Sequence, residues 1–233
     1  MPAAITQGWS DGIQKLNYVN KLLIKQKVDL LELFVGFESK NKYTIINGVG
    51  EEVFYAIENN GCLVRNCCGK ARPFKMKIFD QYRNEIIRLS RPLRCQSCCC
   101  PCCLQRIEVF SPPGRLVGSV DQEWSICCPS FAVRNAANEE VFKIKEIKGQ
   151  ICSFPLCSHD NFKIISKDTS TEVGRISKQW SGLLREAFTD ADHFGISFPM
   201  GLDVRMKAVM IGACFLIDFM FFEKSCDEDC NPE

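Results

Sequence analysis

The sequence predicts a mainly β protein: a closed antiparallel β-barrel of repeated hairpins, with a short N-terminal helix and a central hydrophobic C-terminal helix. Three observations carry this. One hairpin pattern recurs at an offset of 88 residues, a second pattern occurs three times, and one apolar stretch near the C-terminus has neither strand periodicity. The 233 residues suit one domain spanning 1–233, and a composition 46% hydrophobic and 24% charged supplies a core and excludes a disordered chain.

The N-terminal residues lack a basic-then-apolar leader, and Pro2 stands where N-myristoylation needs glycine. Ser10 or Asp11 is placed to cap a helix carrying Ile13, Leu16, Val19, Leu22 and Leu23. Residues 43–58 and 131–146 each read as an alternating run, a polar turn and a second alternating run, which is a β-hairpin. Asn47/Asn135, Glu51/Glu139, Glu52/Glu140, Val53/Val141 and Phe54/Phe142 are identical between the copies. The second unit pairs residues 76–79 with 85–89, 107–110 with 116–120, and 162–165 with 172–176. Its last two copies continue in step to Trp124 and Trp180, which read as barrel packing. The duplication thus covers 43–92 and 131–180. So many strands leave edges that closure into a barrel removes.

Asp203 is a plausible N-cap for a helix running to about residue 223, apolar all round over residues 208–217. Ten such residues followed by Asp218 fall short of the roughly 20 needed for a span. An acid in mid-membrane costs about 2.5–3.5 kcal/mol. The helix is therefore expected inside the barrel, with a short membrane span as the alternative.

Sixteen cysteines are the compositional outlier. With no leader they are expected in a reducing compartment, as thiols, metal ligands or lipid attachment points. Residues 95–103 hold six of them. Cys95/Cys98, Cys99/Cys102 and Cys100/Cys103 have the C-x-x-C spacing of zinc or iron–sulfur ligands, which is one reading. The preferred reading is thioester acylation. Ten Lys/Arg lie between Arg65 and Arg106 against Asp80 and Glu85, and stable anchoring takes several acyl chains or one chain plus basic residues.

Residues 190–201 fit a calcium loop in part: Asp190 at position 1, Asp192 at 3, Phe194 at 5, Gly195 at the turn and the Ile196 carbonyl at 7. Gly201 stands where the closing carboxylate belongs, so calcium binding is expected to be weak or absent, and Gly201→Asp to strengthen it. No phosphate-cradling loop, nucleophile elbow or zinc-protease helix occurs, and only His159 and His193 offer imidazoles, so no conventional enzyme is expected. A net charge of +1 gives no general pull on nucleic acid.

Taken together, several stretches resemble the phospholipid scramblases. They are residues 65–69, 91–95, the Cys98–Cys103 run, 181–192, 194–196 and 207–223, and the resemblance runs from about residue 9 to 223. It implies a tubby-like closed barrel and calcium-responsive, ATP-independent, bidirectional movement of phospholipids between leaflets. It also implies palmitoylation of Cys98, Cys99, Cys100, Cys102 and Cys103, calcium at Asp190, Asp192, Phe194 and Ile196, and attachment to the cytoplasmic face of the plasma membrane. Without acylation, cytosol or nucleus is expected. The Pro-rich N-terminal arm of longer members is not among these residues, and SH3 or WW partners are not expected. Scrambling moves a head group across about 30 Å of hydrocarbon, for which one short helix builds no groove. A homo-oligomer is one answer. The alternative function is a membrane-tethered, acylated lipid-binding or signalling barrel.

Overall fold

Alternating side chains make the strands, and one recurring turn joins them. The structure, a computed structural model, describes residues 11–27, 41–59, 72–94, 103–125, 128–147, 161–178 and 193–222. Twelve strands form a closed barrel: β1 (Lys21–Lys27), β2 (Lys42–Asn47), β3 (Glu52–Glu58), β4 (Phe74–Phe79), β5 (Glu85–Arg91), β6 (Arg106–Ser111), β7 (Arg115–Glu123), β8 (Ser130–Asn135), β9 (Glu140–Glu146), β10 (Asn161–Ser166), β11 (Glu172–Lys178) and β12 (His193–Ser197). Each pairs antiparallel with its neighbours in sequence, and β12 closes on β1 with Leu22 opposite Ile196. Period-2 burial is clearest in β4, where Phe74, Met76 and Ile78 point inward and Lys75 is exposed. Outward positions carry charges such as Lys143, Arg134 and Arg175, the reverse of the apolar belt of a membrane-spanning barrel.

The residues shared by the two hairpin copies are turn chemistry. Asn47 Oδ1 accepts from the Val49 and Glu51 amides at 3.1 and 2.9 Å, and its Nδ2 donates to Glu51 at 2.9 Å. Asn135 repeats this with Ala137 and Glu139 at 2.9 and 3.0 Å. Asp80 accepts from the Tyr82 and Asn84 amides, both at 2.8 Å. Burial opposes ionisation of Asp80, but the hydrogen bonds from Asn84 and Tyr82 outweigh it and hold the carboxyl below its usual range. Its contribution to stability is therefore present above the unfolded value of about 3.9 and is lost as pH falls through the lower folded value. Arg83, Asn138 and Ser170 close three of the turns with positive φ, and the ladders shift register beside them.

A 3-10 helix, Asp11–Tyr18, precedes β1. Ile13, Leu16 and Val19 are buried, as the 3-residue spacing requires. The expected helix does not extend to Leu22 and Leu23; these belong to β1, where Leu22 and Ile24 alternate inward. Trp124 is also not barrel packing: it follows the end of β7 and is 53% exposed. Trp180 lies outside the described residues.

The lumen is filled by α1 (Val204–Ile217), which continues as a π-helical turn over Asp218–Phe222. Asp203 caps it, accepting from the Arg205 amide at 2.8 Å. Every residue from 206 to 217 is buried. No described helix is long and apolar enough to cross a membrane. The helix meets the sheet closely: a Cβ on Gly212 would lie 2.7 Å from the Val109 side chain, and one on Gly118 would lie 2.3 Å from the Arg134 carbonyl and 2.8 Å from Val209. Further along, Phe74 stacks on Phe219 at 4.4 Å and Tyr43 meets Phe215 edge-on at 5.3 Å.

A cation sits in this apolar layer. Lys207 is fully buried, and burial pushes its ammonium below the ordinary lysine range. Its Nζ donates to the carbonyls of Leu16, Val19 and Met200 at 2.8, 2.8 and 2.7 Å, tying the 3-10 helix and the turn before α1 to the helix itself. Lys207→Met leaves those carbonyls without their donor and is expected to cost at least about 2 kcal/mol in urea denaturation; an unchanged midpoint would show the cage to be incidental. Ile211→Asp puts a charge at a site with no exposure and is expected to prevent folding, read as loss of cooperative melting.

Candidate functional site: the loop end of the barrel

Chain direction sorts the connections. The tight turns 48–51, 80–84, 112–114, 136–139 and 167–171 all fall at the end where α1 enters, beside the 3-10 helix. The longer connections, beginning after β1, β3, β5, β7, β9 and β11, leave from the opposite end, where α1 finishes. By sequence, thirteen of the 16 cysteines fall in the intervals between β3 and β4, β5 and β6, β7 and β8, and β9 and β10, and two follow Phe222; of these fifteen, Cys103 and Cys128 are described, and both lie at this end. Cys214 alone sits inside α1, where burial, with help from Asp218, raises its thiol well above the ordinary range and leaves it inert.

Of the cysteines expected to carry acyl groups, Cys103 is described and is half-buried just before β6; Cys98, Cys99, Cys100 and Cys102 lie outside the described residues. Cys128, before β8, is likewise half-buried. The connection bearing the cluster is clamped at both of its ends. Arg91, at the end of β5, donates to Gln105 Oε1 at 3.0 and 2.8 Å. Gln105 returns a hydrogen bond to the Arg94 carbonyl at 3.2 Å, and Arg94 Nη1 donates to the Leu104 carbonyl at 2.8 Å. The Gln105 amide donates to Gln122 Oε1 at 3.0 Å, adding β7 to the clamp. A second clamp joins Arg72 to Glu58 at 3.1 Å and Glu58 to Asn41 at 2.7 Å, with the guanidinium 4.5 Å above the Phe219 ring.

These clamps correct the reading of the basic stretch. Arg72 and Arg91 are buried, Lys77 and Arg88 pair with Glu85, and Arg83 is in a turn at the other end. Lys75, Arg94 and Arg106 are the described basic residues of that stretch that reach the surface of the loop end. Its carboxylates are committed: Asp121 pairs with Arg106 at 2.8 Å, and Glu123 with Lys143 at 2.8 Å. Burial opposes ionisation of Glu123, but Lys143 and Ser130 outweigh it and hold the carboxyl below its usual range. The clamp roles of Gln105 and Glu58 escaped the sequence reading, because a single polar residue at or just beyond the end of a strand carries no periodic signal.

The calcium loop does not close in the described residues. Asp190 and Asp192 lie outside them. Phe194 and Ile196 belong to β12, paired to β1 on one side and β11 on the other, so their carbonyls serve the sheet. Their side chains are buried against α1, Phe194 lying 5.7 Å from Phe215. A five-residue strand spans roughly 17 Å and carries the chain from the loop end to the turn end, where Gly201 sits. Asp203, the nearest carboxylate to it in sequence, is engaged by Arg205 at 2.8–3.1 Å. Phe194 and Gly201 therefore lie toward opposite ends of β12. Among the described residues no group of three or more His, Cys, Asp or Glu is gathered as a metal site.

Fold and site define a class: a closed barrel filled by its own C-terminal helix, with the half-buried thiols Cys103 and Cys128 and the exposed Lys75 at one end. The comparisons place it further. The sequence model of the Scramblase family matches residues 1–224. Human phospholipid scramblase 1 is 52% identical over 218 residues, 94% of this chain and 68% of that protein. Bovine phospholipid scramblase 2 is 51% identical over 217 residues, 93% of this chain and 73% of that protein. Human phospholipid scramblase family member 5 is 42% identical over 214 residues, 92% of this chain and 78% of that protein. The chain belongs to the scramblase family, and spans about two thirds to three quarters of these relatives.

Space for a side chain at Gly201 is open, so Gly201→Asp is expected to fold normally. Against the expectation from sequence that this change strengthens calcium binding, the placement of Phe194 and Ile196 in β12 predicts no gain in calorimetric titration. A clear gain would mean that β12 is not a strand in solution.

Proposed function

We propose that this protein moves phospholipids between bilayer leaflets without ATP, from a position at the cytoplasmic face of the plasma membrane. The observation that carries this is the family match over residues 1–224. Acylation of Cys98, Cys99, Cys100, Cys102 and Cys103 supplies the anchor, and the unacylated chain distributes to cytosol or nucleus. The sequence supports this over zinc or iron–sulfur ligation, since six cysteines within residues 95–103 exceed the need of one metal site.

The chain's residues limit how lipid can move. The lumen is occupied from Met206 to Ile217, so no head group passes through the barrel. The outer wall is charged, so the barrel does not sit in hydrocarbon. The lipid path then runs along the bilayer contact or between copies in a homo-oligomer. Calcium responsiveness enters only through Asp190 and Asp192, and no step is assigned to it.

A second reading is a membrane-tethered lipid-binding or signalling barrel without scrambling of its own. The filled lumen favours it specifically.

Purified chain in vesicles with dye-labelled lipid separates the two: scrambling predicts that inner-leaflet label becomes accessible to a membrane-impermeant quencher in protein-containing vesicles. Label that stays protected at every calcium concentration would refute scrambling and leave the tethered barrel. In cells, replacing the five cysteines by serine is expected to shift most of the protein from membrane to soluble fractions. A stoichiometric zinc or iron signal lost with the same residues would instead favour a metal cluster.

A further inference from the structure

Six consecutive strands give the loop end one distinctive sector. In the order of the barrel it presents Lys75 on β4, Leu93 after β5, Cys103 before β6, Trp124 after β7, Cys128 before β8 and Lys145 on β9. Leu93 is 64% and Trp124 53% exposed, both lysines are exposed, and both thiols are half-buried. The Arg91–Gln105–Gln122 clamp lies beneath, so these side chains stand on a fixed base. We propose that this sector is the surface that lies against an anionic lipid bilayer, setting which end of the barrel faces the membrane. The inference rests on the membrane reading above.

Three features select a bilayer as the occupant. An exposed indole and an exposed leucine flanked by lysines match an interface with apolar chains below and anionic head groups around. The carboxylates of the sector, Asp121 and Glu123, are paired with Arg106 and Lys143, and with Lys145 also close to Glu123 the exposed Lys75 and Lys145 give the sector a positive sign. Thiols interleave with the apolar residues, so acyl chains on them would enter the same bilayer. The opposite end also exposes apolar groups, Tyr18, Val49, Tyr82, Leu116 and Met200, but carries charges of both signs, Glu51, Glu52 and Glu139 alongside Arg83, Arg115 and Lys167, so it presents no surface of one sign to anionic head groups.

The test uses the full chain made in bacteria, hence unacylated, and vesicles of phosphatidylcholine with or without phosphatidylserine. Three variants are compared: Leu93→Ser with Trp124→Ser, Lys75→Glu with Lys145→Glu, and Val49→Ser with Tyr82→Ser at the opposite end. All six positions are exposed, and thermal melting monitors the fold. Both sector variants are expected to lose about tenfold or more in affinity for phosphatidylserine vesicles, while the opposite-end variant binds as the native chain does. Native-like binding by the sector variants, a loss confined to the opposite end, or no binding of the native chain to phosphatidylserine vesicles overturns the proposal. The scrambling assay is read separately: binding through this sector without lipid movement refutes the proposed function and keeps the surface, whereas lipid movement undiminished in the sector variants refutes the surface.

Discussion

Occupation of the barrel by its own C-terminal helix is the constraint on which the rest depends. A twelve-strand barrel encloses a wide lumen, and its inward faces, with Phe54, Phe131, Ile144 and Phe162 among them, need an apolar partner. Helix α1 supplies it. Because that helix must be apolar all round to satisfy strands on every side, its sequence imitates a membrane span while its length does not reach one. The close approaches at Gly212 and Gly118 show which wall it leans on, and no larger side chain fits there without displacement.

Filling the lumen also fixes polarity along the barrel axis. The helix enters beside the 3-10 helix, where the buried Lys207 gathers carbonyls from two other segments, and leaves at the end where the longer connections emerge. An ammonium among carbonyls is a costly group to bury, and it is tolerated because each donor finds an acceptor. At the far end the Arg72–Glu58 and Arg91–Gln105 clamps seal the strand ends around Phe219 and hold the cysteine-bearing connection at its roots. The two ends therefore differ in kind: one is a set of tight, repeated turns, the other a set of clamped strand ends from which the longer connections leave.

Much of this was legible in the sequence, for identifiable reasons. The hairpins declared themselves through alternation, and the identities Asn47/Asn135 and Glu51/Glu139 proved to be the turn's own hydrogen-bonding residues. The buried helix followed from counting ten uncharged residues before Asp218. What escaped was partnership between residues distant in sequence. Arg72 and Arg91 look like surface charge until Glu58 and Gln105 are found beside them. Leu22 and Leu23 look helical until β1 is seen to pair on both sides. The calcium spacing runs through residues 193–197, which also have the alternation of a strand and form β12, the strand that closes the barrel, while Asp190 and Asp192 lie outside the described residues.

The central claim is that α1 is core and not a membrane element, and hydrogen exchange tests it most directly. In the chain purified in aqueous buffer without detergent, the amides of residues 209–216 should exchange only through global unfolding, with protection equal to that of β6 and β7. Exchange of those amides well ahead of β6 and β7, while the barrel strands stay protected, would mean that the helix leaves a folded barrel and would contradict the account.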